Sequence, residues 1–326
     1  MKNGITVAGN IIVDEIFEID NYPNEGELAT INSLQGKSTG GALCNVIVDL
    51  ARLDPGLPLQ AIGKIGNDVN GQFVQETFAK YANINQAEVG MEDVTGYTFV
   101  MSNQGHKERT FFTYEGANRE LKADSFNFEK IDSKIFHIGY LAMLSGLDQL
   151  NETYGTELAK VLSQAQENGI KTSVDVVSSF PENYPVLFKA AMKYTNYCTI
   201  NELEAEQATG IQLKDENGKL IEEKCQAVLQ TIKEMGVKDW VVIHSPEKVF
   251  GLNEDNQFFS VEVDILPPEK IADKIGAGDA FCAGVLYSAH NDQTLAEAMS
   301  FGNQIAALSL QAKGASAGIR PIYQKG

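Results

Sequence analysis

From residue 135 onward, short apolar runs and longer helical stretches take turns. The runs over 135–141, 172–177, 197–200 and 240–243 have the length and β-branched or aromatic content of buried strands. The stretches over 151–168, 184–193 and 219–235 read as helices, the first of them stopped by Gly169. A strand–helix–strand repeat needs crossover connections, so its strands lie mostly parallel in one sheet with helices on both faces. Ligands then bind at the carboxyl ends of the strands. The front of the chain continues the theme. A run over 5–13, interrupted at Gly9-Asn10, predicts a strand with Asn10 and Asp14 emerging at its exit. Gly40-Gly41 opens a helix with the stripe Leu43, Val46, Ile47, Leu50 and Leu53. A strand over 59–65 and a helix after Gly66-Asn67-Asp68 follow. The expected fold class is α/β, with a three-layer, mostly parallel sheet flanked by helices.

Three segments depart from that alternation. The stretch over 16–34 folds back around 21–26, and the runs over 97–101 and 109–114 flank a polar loop over 102–108. They predict a small β-sheet, too small to bury both of its faces. Its apolar side must cover a ligand, another subunit, or both.

The chemistry concentrates near the C-terminus, in Asp273-Lys274-Ile275-Gly276-Ala277-Gly278-Asp279-Ala280-Phe281. Here a glycine loop runs into a helix marked by Phe281, Gly284, Val285 and Ser288. Free N–H groups and a partial positive charge at such a helix start suit an anion, above all a phosphate. Asp279 lies in the same first turn, where it either answers the helix dipole or takes the proton of an attacking hydroxyl. The helix end is expected to keep it ionised. Asn10 and Asp14 together offer donors and acceptors to a diol. Gly40 and Gly41 let backbone approach a ligand. Asn201, Glu202 and Glu204 stand at a strand-to-helix junction, as a polar helix start or as hard oxygen ligands. His244 ends a strand, as a structural residue or a phosphate donor.

The string Asp-x-x-Gly-Ala-Gly-Asp-Ala-Phe-x-Ala-Gly at 273–284, with Gly-Gly-Ala-x-x-Asn at 40–45, resembles the signatures of the ribokinase-like sugar kinases, which include the fructokinases. The motifs occur in the family's order along essentially the whole chain. The resemblance implies one kinase domain over 1–326, with a β lid formed by roughly 15–35 and 97–114. It implies transfer of the γ-phosphoryl group of ATP to a sugar hydroxyl, with Asp279 as base and Gly276, Ala277 and Gly278 as the anion hole. Sugar contacts fall on Asn10, Asp14, Gly40, Gly41, Asn45 and Asn118. Nucleotide contacts fall on Asn201, Glu204, His244 and Asn303, with Glu204 reaching Mg²⁺ through water. Asp273 marks a monovalent-cation (K⁺) site, and the lid implies a homodimer. Three positions depart from the family: His244-Ser245-Pro246 replaces Thr-x-Gly, Lys274 replaces a small residue, and Val177 replaces an Asn.

Composition narrows the alternatives. A net charge of −18 over 326 residues argues against nucleic acid or an anionic membrane as partner. No run of about 18 uncharged apolar residues is present to span a bilayer. No apolar leader precedes the first strand, and Cys44, Cys198, Cys225 and Cys282 have no metal-type spacing. The expectation is a cytoplasmic protein with reduced thiols. Two rival classes stand beside the kinase. One is a non-catalytic sugar or nucleotide sensor that keeps the fold. The other is a dinucleotide oxidoreductase, which lacks its Gly-x-Gly-x-x-Gly loop here.

Overall fold

The computed structural model describes residues 2–103 and 108–322. Strand β1 (Ile5–Ala8) is wholly buried. At Gly9 and Asn10 the chain leaves the first sheet and enters a second as β2 (Ile12–Ile19). The single strand expected over 5–13 is therefore two strands in two sheets. Asn10 falls at the crossing, while Asp14 belongs to the second sheet. Strand β3 (Ile31–Gly40) runs directly into helix α1 (Gly41–Leu53). That corner requires a glycine. Gly41 has φ +84°, and a Cβ there would overlap the Asn10 carbonyl.

Strand β4 (Leu59–Gly66), helix α2 (Val69–Phe78) and β5 (Ile84–Glu92) follow, then the hairpin β6 (Gly96–Asn103) and β7 (Glu108–Tyr114). Of the loop expected over 102–108, residues 104–107 lie outside the described residues. After β8 (Ile135–Leu141), the short pair β9 (Leu150–Asn151) and β10 (Gly155–Thr156) precedes α3 (Glu157–Glu167). The helix expected over 151–168 thus begins only at Glu157. Asn151 Oδ1 accepts the amides of Thr153 and Tyr154 in a turn, and Thr156 caps the helix through Ala159 N. Strand β11 (Lys171–Val176), α4 (Tyr184–Met192), β12 (Tyr197–Asn201), α5 (Glu202–Thr209), α6 (Glu222–Glu234) and β13 (Trp240–His244) complete the alternation. Strands β14 (Lys248–Leu252) and β15 (Phe258–Glu262), then α7 (Ala277–His290) and α8 (Leu295–Leu310), close the chain.

The large sheet has the order β15-β14-β13-β12-β11-β8-β1-β4-β5. It is parallel from β13 to β5 and antiparallel only at the β14 and β15 edge. Alternate residues feed two cores. Ala8 joins the cluster under α3 to α6, whereas Ile5 and Val7 join that under α1, α2, α7 and α8. Helices α1 and α7 share one face, so their N-termini meet at the carboxyl edge of the strands.

The small sheet has the order β3-β2-β6-β7, with β2 and β6 parallel. Phe17 packs edge-on against Phe99, yet Ile31, Leu34, Phe111 and Phe112 remain exposed. The apolar surface expected of this sheet is present. Asp68 joins the two sheets: its Oδ1 accepts from Gly71 N and Thr95 Oγ1, and its Oδ2 accepts from Thr95 N. Replacing Asp68 with Ala should remove that cap and lower unfolding stability by about 1 kcal/mol. Urea unfolding measures the change, and a shift near zero would mean that water replaces all three bonds.

Candidate active site

Helix α7 begins at the carboxyl edge of the large sheet, after a turn at Gly276 with φ +75°. A Cβ on Gly276 would overlap Ala315, so the backbone turn and the close loop both require glycine. Gly278 is exposed in this first turn, beside half-buried Ala277. The opening amides of the helix have no carbonyl four residues back inside it. The expected glycine-led helix start is therefore present.

Asp279 follows, 7% exposed at the floor of a cleft of about 520 Å³. Its Oδ2 accepts from Asn45 Nδ2 at 2.8 Å and from the Tyr140 hydroxyl at 3.1 Å. Among the described residues, its Oδ1 has no hydrogen-bond partner. Burial and then the charge of Asp175 push the Asp279 carboxyl above the ordinary carboxylate range, against the two hydrogen bonds. This corrects the expectation that the helix end alone keeps it readily ionised. In a buried site, desolvation outweighs a dipole contribution of about 0.3–1 kcal/mol.

Tyr140 was not singled out from sequence. It leaves β8 with φ +62°, a strained conformation for a tyrosine, and its amide donates to Asp175 Oδ1 at 2.8 Å. Asp175 Oδ2 in turn lies 3.6 Å from His137 Nε2. Asp175 thus holds Tyr140, and Tyr140 holds Asp279. The available signal was position alone, since both residues stand near carboxyl ends of adjacent parallel strands.

On one side of Asp279 lies a pocket of about 440 Å³ that includes Asn10, Thr113, Asn118 and Met143. Asn10 donates to the Met143 carbonyl, while its buried Oδ1 has no partner. An orphaned buried acceptor at a pocket wall suits a ligand hydroxyl. Asp14 sits on β2 against Gly40, where a Cβ would overlap its carboxylate. Burial pushes Asp14 up to about 6, offset in part by the Thr98 hydroxyl. Asn118 lies in the same wall, but its amide is committed to backbone. Its Oδ1 accepts from Ile11 N, and its Nδ2 donates to the carbonyls of Ile11 and Glu115.

On the other side, a more apolar cleft of about 490 Å³ is bounded by Val263, Ile265, Ala277, Asn303 and Ala307. Asn303 lies in the middle of α8. His244 stands between the clefts, stacked on Phe281 at 4.7 Å. Burial pushes its imidazole down to about 4, so it is neutral at physiological pH. Asn201 and Glu204 form a capping box at the start of α5, with Asn201 Oδ1 accepting from Glu204 N and Glu204 Oε2 from Asn201 N. Both also line the central cleft, where Glu204 accepts from the Ser178 hydroxyl and burial pushes it up to about 8. Ser178 supplies a polar group beside Val177. Glu202 is instead paired with Lys214 at 2.7 Å. Asp273 is engaged by Arg109 of β7 at 3.0 Å, and Lys274 is exposed at the edge of the central cleft. The thiols of Cys44 and Cys282 are buried, and burial pushes both up, so neither is a ready nucleophile.

Comparison with known proteins identifies the family and the fold. The model of the pfkB family carbohydrate kinases matches residues 3–321. The chain is 26% identical to a ribokinase of Haemophilus influenzae over 325 residues, covering 98% of this chain and 96% of that protein. It is 25% identical over 315 residues to a bifunctional ribokinase/ribose-5-phosphate isomerase A of Fructilactobacillus sanfranciscensis, covering 95% of this chain but only 53% of that longer protein. Among solved structures, the ribokinase of Arabidopsis thaliana complexed with ribose and ATP superposes with a TM-score of 0.78 at 18% identity, over 98% of this chain and 96% of that one. The fold is therefore ribokinase-like.

The bonding of Asn118 gives a direct test. Asn118→Ala leaves the backbone of Ile11 and Glu115 unsatisfied at the junction of the two sheets. It should lower unfolding stability by about 1–3 kcal/mol. Ligand affinity measured well below the melting temperature should change far less. A large affinity loss with unchanged stability would instead place the amide on the ligand.

Proposed function

The chain belongs to the pfkB family of carbohydrate kinases and is an ATP-dependent sugar kinase, and we propose that its chemistry is centred on Asp279 and the start of α7. The observation that carries this reading is the hydrogen bond from Asn45 to Asp279, which joins the two signature segments across 234 residues. A sugar hydroxyl placed at Asp279 gives up its proton to the carboxylate as the γ-phosphoryl group arrives. The amides of the Gly276–Gly278 turn stabilise the charge on the transferring group. Asn45 and Tyr140 hold one carboxylate oxygen in place. Burial leaves Asp279 a stronger base than a solvated carboxylate, which suits proton abstraction near neutral pH.

Asn10 offers an unpartnered acceptor to one sugar hydroxyl at the pocket wall, and Asp14, buried on β2 against Gly40, is the acceptor for a second. The apolar cleft beside His244 and Asn303 accommodates the nucleotide base. The central cleft would hold Mg²⁺ through the carboxylate oxygens of Glu204 and the side-chain oxygen of Asn201, hard ligands that would suit a hydrated ion. When bound, that ion neutralises phosphate charge. The exposed Ile31, Leu34 and Phe112 of the lid support a homodimer joined through the small sheets. Four buried free cysteines fit work in a reducing cytoplasm.

Asp279→Asn keeps the shape and removes the base. Single-turnover phosphorylation should slow by about 10²–10⁴, with folding and binding of both substrates retained. A variant that keeps more than about a tenth of the rate, well short of that range, would remove Asp279 from the role and favour a sensor.

The sign of the pH dependence also follows. Asp279 must be ionised to act, so the rate should rise with pH through its raised pKa. Asn45→Ala removes a bond that favours the ionised form, and should move that rising limb upward by about one unit, the equivalent of about 1.4 kcal/mol. A limb that stays in place would mean that another group sets it. Light scattering at micromolar concentration tests the dimer, with about twice the chain mass expected and a clean monomer counting against the lid interface.

A further inference from the structure

Arg109 and Asp273 lie 164 residues apart and meet where the lid touches the loop that leads into α7. Arg109 Nη1 donates to Asp273 Oδ1 at 3.0 Å, and Nη2 to Oδ2 at 3.4 Å. The same carboxylate accepts the amides of Lys274 at 2.8 Å, Ile275 at 3.1 Å and Gly314 at 3.2 Å. The Asp273 side chain is only 7% exposed, and that of Arg109 is 28% exposed. A carboxylate offers about four acceptor positions, and five N–H groups converge on this one. A guanidinium stays charged at any physiological pH.

The family resemblance places a monovalent cation at Asp273, and the residues present do not fit one. The charge that would attract a cation is already matched by Arg109. Its oxygen atoms are taken by N–H donors, and the next residue is Lys274. A second positive ion would have to displace Arg109 or sit against it.

We propose that the Arg109 guanidinium takes the place of that cation, as a positioning residue that fixes Asp273 and, through it, the Gly276–Gly278 turn. The proposal rests on the kinase reading above. Two consequences follow. Phosphoryl transfer in this chain needs no K⁺. In addition, because Arg109 is carried by β7, the lid and the anion-binding turn are set together. A cavity of about 800 Å³, bounded by Ser102, Asn103, Arg109 and residues 271–275, lies at this junction. It is roomy enough for small ions to reach Asp273 once the arginine is removed.

The test is a K⁺ titration of the full-length protein, with tetramethylammonium chloride holding ionic strength at about 0.1 M so that screening is constant. Melting temperature and single-turnover rate are both read. For the unmodified chain, both should be flat in K⁺. Arg109→Ala should lose about tenfold in rate, within the usual range of coupling between sites, and regain rate and melting temperature with K⁺ or with free guanidinium ion. A rate that climbs about fivefold or more with K⁺ in the unmodified chain, the lower bound of such coupling, overturns the proposal. So does a melting temperature that rises with K⁺, or an Arg109→Ala variant as fast as the parent. Should Arg109→Ala fail to fold, the titration of the unmodified chain still decides. Failure of the kinase reading looks different, as absence of turnover with every sugar, and the melting titration then tests the cation claim by itself.

Discussion

Asn45 and Asp279 can touch only because two glycine-led helices enter the same edge of one sheet. Helix α1 starts at Gly41 and α7 follows Gly276, each through a positive φ. Both then bury apolar faces in the same core, where Leu43, Ile47 and Leu50 of α1 lie with Phe281 and Val285 of α7. Burying each such side chain contributes about 1.5–3 kcal/mol, far more than the polar contact at the helix ends. The core therefore sets where the helices begin, and their beginnings define the site. Tyr140, pinned to Asp175 at the neighbouring strand end, completes the arrangement from the sheet side.

The electrostatics resolve an apparent conflict. A chain with net charge −18 must accept the phosphates of ATP. Around the cleft, burial raises Glu204 to about 8 and Asp279 to about 7, so in the free protein these carboxyls carry only part of their negative charge near neutral pH. Positive potential comes instead from oriented backbone at the start of α7. His244 adds no charge at neutral pH, since burial pushes its imidazole down to about 4. The altered His244-Ser245-Pro246 stretch thus affects the shape of the apolar cleft more than its charge.

The lid binds these parts together. It faces the central cleft through Phe111, reaches the pocket around Asn10 through Thr113, and grips the loop before α7 through Arg109. One small antiparallel hairpin therefore touches two clefts and the loop before α7 at once. Its short strands cannot bury both faces, and this leaves apolar surface exposed.

Local patterns were legible in the sequence because they depend on neighbours within a few residues. Apolar periodicity gave the parallel sheet, the helices and the hairpin of the lid, and the glycine loop before Asp279 marked the turn into α7. The boundary errors were local as well, with turns at Asn151 and near Asp215 delaying two helices. Other features needed the tertiary structure. Periodicity could not reveal that the chain changes sheets at Asn10, since strand patterns look alike in either sheet. The roles of Tyr140 and Asp175, the commitment of Asn118 to backbone, and the pairing of Arg109 with Asp273 all join residues distant in sequence. The protonation of Asp279 was likewise decided in space. The sequence placed it at a helix end, which favours the anion, but only packing showed how deeply it is buried, and desolvation is the larger effect.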